Sequence, residues 1–288
     1  MNTTDAELHY AVVFGTIMSI GFPLNAIAVW ILLRHHSLKS PNVIFMLNLA
    51  IADLLLASSL PLKVYFHATG AWPLGDKACI GVRVLFYVNI GTSSIFITFI
   101  SVDRVLAVVY PLRSRHIRTA RNAVKAVILA WLFVIIFAIP GCIKFGEHLK
   151  RHNKSSCFEY RLYADNPRSD PVNIFQLVLV LILLVVNVVS TVLVSLTLRR
   201  NVKDLPKVNN RVNVMLLFVM SLIMFIICFL PMTIGSFIKG RKTYLKCIAA
   251  TNCCLDPVLY YFSLDAFWKK KEESKPAQTR AMIRHQRH

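Results

Sequence analysis

Ionisable residues lie inside long apolar runs of this chain, where each one is costly and usually functional. The pair Asp103-Arg104 closes an apolar run that begins at Cys79. An acid and an arginine side by side at the end of a membrane helix can hold each other until a partner draws the arginine away. The pattern favours a switch at one face of a membrane bundle over a catalytic centre.

Two carboxylates in other apolar runs predict a polar cluster at membrane depth. Asp53 lies in the segment NLAIADLLL, and Asp256 lies in NCCLDPVLYYF. Two carboxylates in lipid need a cation or a shared proton. Sodium suits oxygen ligands, so Asp53 and Asp256 are candidate sodium ligands; a helix-packing hydrogen-bond network without an ion is the alternative. The polar side chains expected to complete the cluster are Asn89, Ser93 and Asn252.

Cations near the ends of two runs predict a cavity that binds anions. Lys63 and Arg83 lie towards the same side of their expected spans, so they can reach one space. The forked donors of arginine favour phosphate or carboxylate. The connecting segments add Arg161 and Lys246 as candidate ligands. The alternative is that such loop cations are only solvated, although burial makes idle charge costly for Lys63 and Arg83.

The composition places these residues in a helical membrane protein. Of 288 residues, 56% are hydrophobic and 16% are charged, against about 25% charged in soluble domains. Only helices and closed barrels satisfy backbone polar groups in lipid, and these runs are too long for barrel strands. We predict an all-α membrane protein, a seven-transmembrane helix bundle with spans at about 11–33, 42–66, 80–102, 122–143, 172–198, 212–238 and 244–262.

Loop charges and glycosylation sequons predict the orientation. Lysine and arginine are more frequent in the loops that are cytoplasmic if the N-terminus is extracellular. Asn2 and Asn153, the candidate glycosylation sites, are both extracellular in that orientation. The net charge of +19 sits in loops between spans, so nucleic acid is not an expected partner. No cleavable signal peptide is expected.

Cysteines, prolines and the C-terminal segment complete the expected organisation. A bridge between Cys79 and Cys157 would pin the long loop 144–171 over the bundle. Pro231 and Pro257 each remove a helix hydrogen bond and mark movable joints. The membrane domain is predicted over residues 1–270 and a cytoplasmic tail over 271–288. Within the former, aromatics and lysines after Phe262 predict a short amphipathic eighth helix on the inner leaflet.

Motifs in order along the chain resemble those of the rhodopsin-like (class A) G-protein-coupled receptors. The resemblance covers about 11–270. The segments SPNVIFMLNLAIADLLLASSLPLKVYFH and ISVDRVLAVVYPLRSRHIRT look like the purinergic-type branch, which groups nucleotide, lysophosphatidic-acid and protease-activated receptors. The matching positions are Asn25, Asp53, Cys79, Asp103-Arg104, Trp131, Pro231 and Asp256-Pro257-Val258-Leu259-Tyr260.

The resemblance implies a plasma-membrane receptor, not an enzyme, that passes the binding of an extracellular ligand to heterotrimeric G proteins. The implied ligand is small and anionic, a lysophospholipid or a nucleotide. On activation Arg104 would leave Asp103, and Tyr260 would turn inward. Pro231 and Phe229, where many relatives have tryptophan, mark the sixth span that moves. Membrane lipids are the other expected partner, and no cofactor is implied beyond the structural sodium ion.

The chain also departs from the family pattern. The interval from Pro231 to Pro257 is only 26 residues, and the fifth span contains no proline. The short interval motivates an alternative hypothesis, a receptor-like protein that does not signal and acts as a decoy or dimer partner. A transporter or channel is a third hypothesis, which predicts paired internal repeats that the sequence does not show.

Overall fold

The described part of the chain is a bundle of long helices. The structure, a computed structural model, describes residues 3–151, 157, 171–200, 208–238 and 243–261. These residues form helices and turns, without a β-strand among them. In chain order the helices are α1 (Thr3–His35), α2 (Pro41–Thr69), α3 (Gly75–Val108), α4 (Ala120–Arg151), α5 (Pro171–Arg200), α6 (Val208–Met224), α7 (Leu230–Gly235) and α8 (Thr243–Ala250), followed by helical residues 252–261.

The predicted seven-helix architecture is confirmed. Six helical spans are long and apolar enough to cross a membrane. The sixth consists of α6, a π-helical turn at Phe225–Phe229, and α7. The seventh predicted span corresponds to α8 and residues 252–261, with a turn at Thr251 between them. The predicted eighth helix, the tail, Asn2, Asn153 and Arg161 lie outside the described residues.

Helices α2 and α3 form the centre of the bundle. In their most apolar stretches 67% and 72% of residues are buried, against 17% in α4 and 22% in α5. The exposed leucine, isoleucine and valine side chains of α4 and α5 therefore contact lipid in a membrane. Polar groups carried by α2 and α3 are shielded from lipid by the helices around them.

Hydrogen bonds from buried and half-buried polar side chains link neighbouring helices. In lipid each such bond contributes roughly 0.6–2 kcal/mol, because water does not compete for the donor. The bonds tie α1 to the seventh helical region, α4 to α2, and α5 to α3. They are Asn25 Nδ2 to the Cys253 carbonyl (2.7 Å), Trp131 Nε1 to Asn48 Oδ1 (3.2 Å) and Asn187 Nδ2 to Thr98 Oγ1 (2.8 Å).

The sixth span contains the predicted joint at Pro231. Proline has no N–H to donate, and its ring clashes with the carbonyl four residues earlier. The chain widens into the π turn immediately before it, where the Leu230 N–H bonds to the carbonyl of Phe225, five residues back. A π turn next to proline is a typical site of helix bending.

The predicted disulfide between Cys79 and Cys157 is present. Both residues are buried in a small apolar cluster with Phe145 and Leu149 of α4. The bridge thereby anchors the segment after α4 to the start of α3. We call this end of the bundle the disulfide end, and the end where α3 finishes the Asp103 end.

The short interval between Pro231 and Pro257 is taken up by a short connection. Helix α7 ends at Gly235 and α8 begins at Thr243, and the two helices pack against each other. The sixth and seventh regions are therefore neighbours in the bundle despite the missing length.

Gly21 permits a close approach of α1 to the seventh helical region. A Cβ atom at Gly21 would lie 2.8 Å from Cys253 Sγ, whereas one at Gly15, in the same helix, would meet nothing nearer than 3.9 Å. We expect Gly21→Ala to destabilise the folded protein by about 1–3 kcal/mol, the usual cost of overpacking. Thermal unfolding of the purified protein measures this loss.

Gly15→Ala is the matched control and should leave the unfolding temperature unchanged or slightly higher. The double variant Gly21→Ala/Cys253→Ala removes the sulfur that the new methyl group meets, and it should recover part of the loss. Equal unfolding temperatures for the two single alanine variants would contradict the close approach.

Candidate functional site

A polar cluster lies in the centre of the bundle. Asp53 and Asp256 are fully buried, and their carboxyl groups are close enough to interact directly. Asn89 donates one hydrogen bond to Asp53 Oδ1 at 3.0 Å and another to Ser93 Oγ at 3.3 Å. Asn252 is buried one helical turn before Asp256. The predicted cluster thus has its members on α2, α3 and the seventh helical region.

The donor set of this cluster fits a monovalent cation. Asp53 Oδ2 and both carboxylate oxygens of Asp256 are buried without a hydrogen-bond donor among the described residues. Two adjacent carboxylates in a low dielectric repel each other unless a proton or a cation lies between them. The available ligands are carboxylate, hydroxyl and amide oxygens, which suit a hard ion such as sodium.

Three predicted cations converge at the disulfide end. Lys63 of α2, Arg83 of α3 and Lys246 of α8 are close enough for their charges to repel. Arg83 is half-buried, and its guanidinium lies over the rings of Phe145 (4.3 Å) and Tyr87 (5.3 Å). Three helices therefore place positive charge in one region of the bundle, which brings together Lys63 and Arg83; we call this region the cationic space.

Lys63 is the most buried of these cations, with 3% of its surface exposed. Its ammonium lies 3.6 Å from the centre of the Phe86 ring and 5.2 Å from that of Phe14. Among the described residues it has no hydrogen-bond acceptor and no acidic partner. Ring faces stabilise a desolvated cation by about 2 kcal/mol, which is less than the cost of burying it. An anion that enters this space gains a strong interaction.

A histidine and an acid that sequence reasoning missed lie beside Lys63. His67 follows Lys63 by one helical turn and stacks on Phe14, with ring centres 5.5 Å apart. Its Nδ1 lies 2.7 Å from Glu7 Oε2 of α1. The only sequence signal was the i, i+4 spacing to Lys63, because nothing in the sequence places Glu7 near α2. The pair supplies a carboxylate at the rim of the cationic space.

At the Asp103 end the structure corrects the expected Asp103–Arg104 pair. Arg118, in the turn between α3 and α4, donates two hydrogen bonds to the Asp103 carboxylate. They run from Nε to Oδ1 at 2.8 Å and from Nη2 to Oδ2 at 3.0 Å. Asp103 is only 4% exposed, so this bidentate bridge satisfies an otherwise buried charge. Arg118 approaches from the turn after α3 and occupies both carboxylate oxygens, so in this structure the acid is paired with Arg118 and not with Arg104.

The turn that carries Arg118 is built around Ser114. Ser114 is 2% exposed, and its hydroxyl donates to the Leu106 carbonyl of α3 at 2.9 Å. The Ser114 carbonyl in turn accepts the N–H groups of Ile117 and Arg118. These bonds hold the turn against α3 and aim Arg118 at Asp103.

Of the other predicted switch residues, Phe229 and Tyr260 are buried, and Arg104 and Pro231 are half-buried. Arg104 Nε and the Tyr260 hydroxyl have no hydrogen-bond partner among the described residues. Phe229 is buried and lies edge-on to Phe225, with ring centres 5.3 Å apart. Pro231 is the second residue of α7, which follows the π turn directly. The groups that could change partners are thus in place around the Asp103 end and the sixth span.

Comparison with known proteins identifies this arrangement. The model of the seven-transmembrane receptors (rhodopsin family) matches residues 24–260, which contain the polar cluster, the three converging cations and the Asp103–Arg118 ion pair. The chain belongs to the rhodopsin family of seven-transmembrane receptors. As a rhodopsin-family receptor it is a multi-pass membrane protein, and its predicted purinergic-type branch is confirmed by its relatives.

These relatives match along most of this receptor. The human lysophosphatidic acid receptor 6 is 32% identical over 281 residues, which are 89% of this chain and 80% of that protein. The human lysophosphatidic acid receptor 4 is 30% identical and covers 89% of this chain and 75% of its own length. A purinoceptor of Gallus gallus is 29% identical, with coverages of 90% and 77%.

Proposed function

We propose that this receptor carries the binding of an extracellular anionic ligand, a lysophospholipid or a nucleotide, to heterotrimeric G proteins at the plasma membrane. The observation that carries the proposal is the buried Lys63 ammonium, which lacks an acidic partner among the described residues beside Arg83 and Lys246. A cation kept in a low dielectric is destabilising by itself. The buried position of the Lys63 ammonium is explained if a bound ligand supplies the missing negative charge.

The orientation belongs to the same proposal. The disulfide end faces outwards, because the Cys79–Cys157 bridge requires an oxidising compartment. The Asp103 end then faces the cytoplasm with its arginine-rich turn, in agreement with the excess of positive charge on cytoplasmic loops. In this orientation Asn2 and Asn153 are extracellular and available for glycosylation.

Among the two ligand classes, the relatives favour a lysophospholipid. Proteins named as lysophosphatidic acid receptors match this chain at 30–32% identity, and the purinoceptor matches it at 29%. The aromatic rings of Phe14 and Phe86 beside Lys63 suit a phosphate next to an apolar chain.

Removing either buried cation tests the ligand proposal. We expect Arg83→Gln and Lys63→Gln each to weaken activation by lysophosphatidic acid by about 1–3 kcal/mol, or roughly fivefold to 150-fold in potency, because a charge-assisted hydrogen bond is lost. Dose–response curves with G-protein sensors in cells measure the shift. Lys77→Gln, an exposed cation on the same helix as Arg83, is the control.

A monoacylglycerol, which has the chain but not the phosphate, should not activate the wild-type receptor. Equal potency of lysophosphatidic acid on the wild type and both glutamine variants would remove the cationic space from the ligand site. Silence of the wild type with every lysophospholipid and nucleotide tried would favour the non-signalling decoy instead.

Signal transfer is proposed to depend on which arginine holds Asp103. While Arg118 occupies the carboxylate, Arg104 is available to a G-protein helix that enters the Asp103 end. If Arg118 releases Asp103, the acid can pair with Arg104 and withdraw it. The exchange of one ion pair for another biases two receptor states without a large net energy change.

Arg118→Gln tests this exchange. We expect ligand-independent nucleotide exchange on the G protein to fall by about threefold to tenfold, an effect of the size typical of allosteric coupling, while surface expression stays similar. Arg115→Gln, an exposed arginine of the same turn, should leave it unchanged. A rise in basal exchange in Arg118→Gln would show that the bridge restrains the receptor rather than releasing Arg104.

A sodium ion between Asp53 and Asp256 is the third element of the proposal. The support is the pair of buried carboxylates with oxygens that lack a donor among the described residues. We expect sodium chloride, compared with choline chloride at equal ionic strength, to change agonist affinity in the wild type and not in Asp53→Asn. Asp76→Asn, at the start of α3, is the control. Persistent sodium dependence in Asp53→Asn would argue for a hydrogen-bond network without the ion.

A further inference from the structure

A partly open groove lies at the Asp103 end, between α2, α3 and α4. Its volume is about 160 Å³, and its walls include Phe45 of α2, Phe99 and Leu106 of α3, and Ala126 of α4. The turn after α3 closes one end with Ile117 and Arg118. This volume is below the roughly 300–1,000 Å³ of small-molecule sites, and the groove is partly open at the side of the bundle.

The α3 face in this groove is unusually accessible for a central helix. Phe99, Val102 and Leu106 follow the spacing of one helix face and are half-exposed, whereas most residues of α3 are buried. In a membrane such an apolar face at the side of the bundle contacts acyl chains. Small side chains at Ala123 and Ala126 leave the room for one.

Positive charge surrounds the polar end of the groove. Arg121 and Lys125 lie one helical turn apart on α4, each next in sequence to a groove residue, Asn122 or Ala126, and both are exposed. Arg113 and Arg115 are exposed in the adjoining turn. No aspartate or glutamate occurs between Arg104 and Gly146 to neutralise them.

We infer that this groove binds one anionic glycerophospholipid of the cytoplasmic leaflet. One acyl chain lies along Phe99, Val102 and Leu106, and the phosphate meets the exposed cations at the start of α4. Charge complementarity selects this occupant, because a basic surface at the membrane attracts anionic headgroups. The inference goes beyond ligand recognition at the disulfide end and does not require it.

The groove also adjoins the ion pair of the switch. Asp103 and Arg118 both line it, so a bound chain packs against the turn that presents Arg118 to Asp103. Lipid composition would then act on the switch from the side of the bundle, at a point separate from the extracellular ligand.

Native mass spectrometry of the purified full chain tests the inference, with phosphatidylserine and phosphatidylcholine of identical acyl chains as probes. We expect the wild type to bind phosphatidylserine at least fivefold more tightly. The double variant Arg121→Gln/Lys125→Gln should lose that preference, because each cation near an anionic headgroup strengthens lipid binding by about fivefold. Ala126→Phe fills the groove and should weaken both lipids.

The control is Arg34→Gln/Arg199→Gln, which removes two exposed arginines near the ends of α1 and α5 and should keep the preference. Equal affinity of the wild type for the two lipids would overturn the inference. An equal loss of the phosphatidylserine preference in the two double variants would also overturn it, because the loss would then be a general effect of surface charge. If Ala126→Phe fails to fold, as judged by thermal unfolding, the two charge variants decide the question.

Discussion

The structure depends on how each ionisable group that is withdrawn from water is compensated. A charge in lipid or in a dry bundle is stable only when another charge, a hydrogen bond or an aromatic face replaces its hydration. The chain uses three solutions. Asp103 is satisfied by a bidentate arginine, Lys63 is held between rings, and Asp53 and Asp256 face each other.

The three sites differ in how fully the buried charge is compensated. They lie at the two ends and in the centre of the bundle, along the proposed path of the signal. The bridge at Asp103 is complete but exchangeable, since a second arginine lies next to the acid in the chain. The rings around Lys63 compensate only part of its charge. The paired carboxylates need a proton or a cation. A receptor with two states requires such alternatives, because a fully satisfied network has no second arrangement.

Much of the fold was predictable from the residues. The apolar runs predicted the helical spans, and the polar residues within them predicted which positions face inwards, because lipid tolerates polar groups only on the inside. The Cys79–Cys157 disulfide was predicted from topology and is present. The concern over the short interval before Pro257 came from counting residues, whereas the structure joins α7 to α8 by a short connection.

The sequence by itself determined the membrane class, the helical spans, the family and the residue types that can carry charge within the bundle. These follow from composition and local spacing, which act along the chain. Only the tertiary structure decided which charges meet. Adjacency in the sequence made Arg104 the expected partner of Asp103, but the folded turn after α3 brings Arg118 to both oxygens of the acid instead. The same holds for Glu7 and His67, which lie far apart in sequence and are joined only because α1 packs on α2.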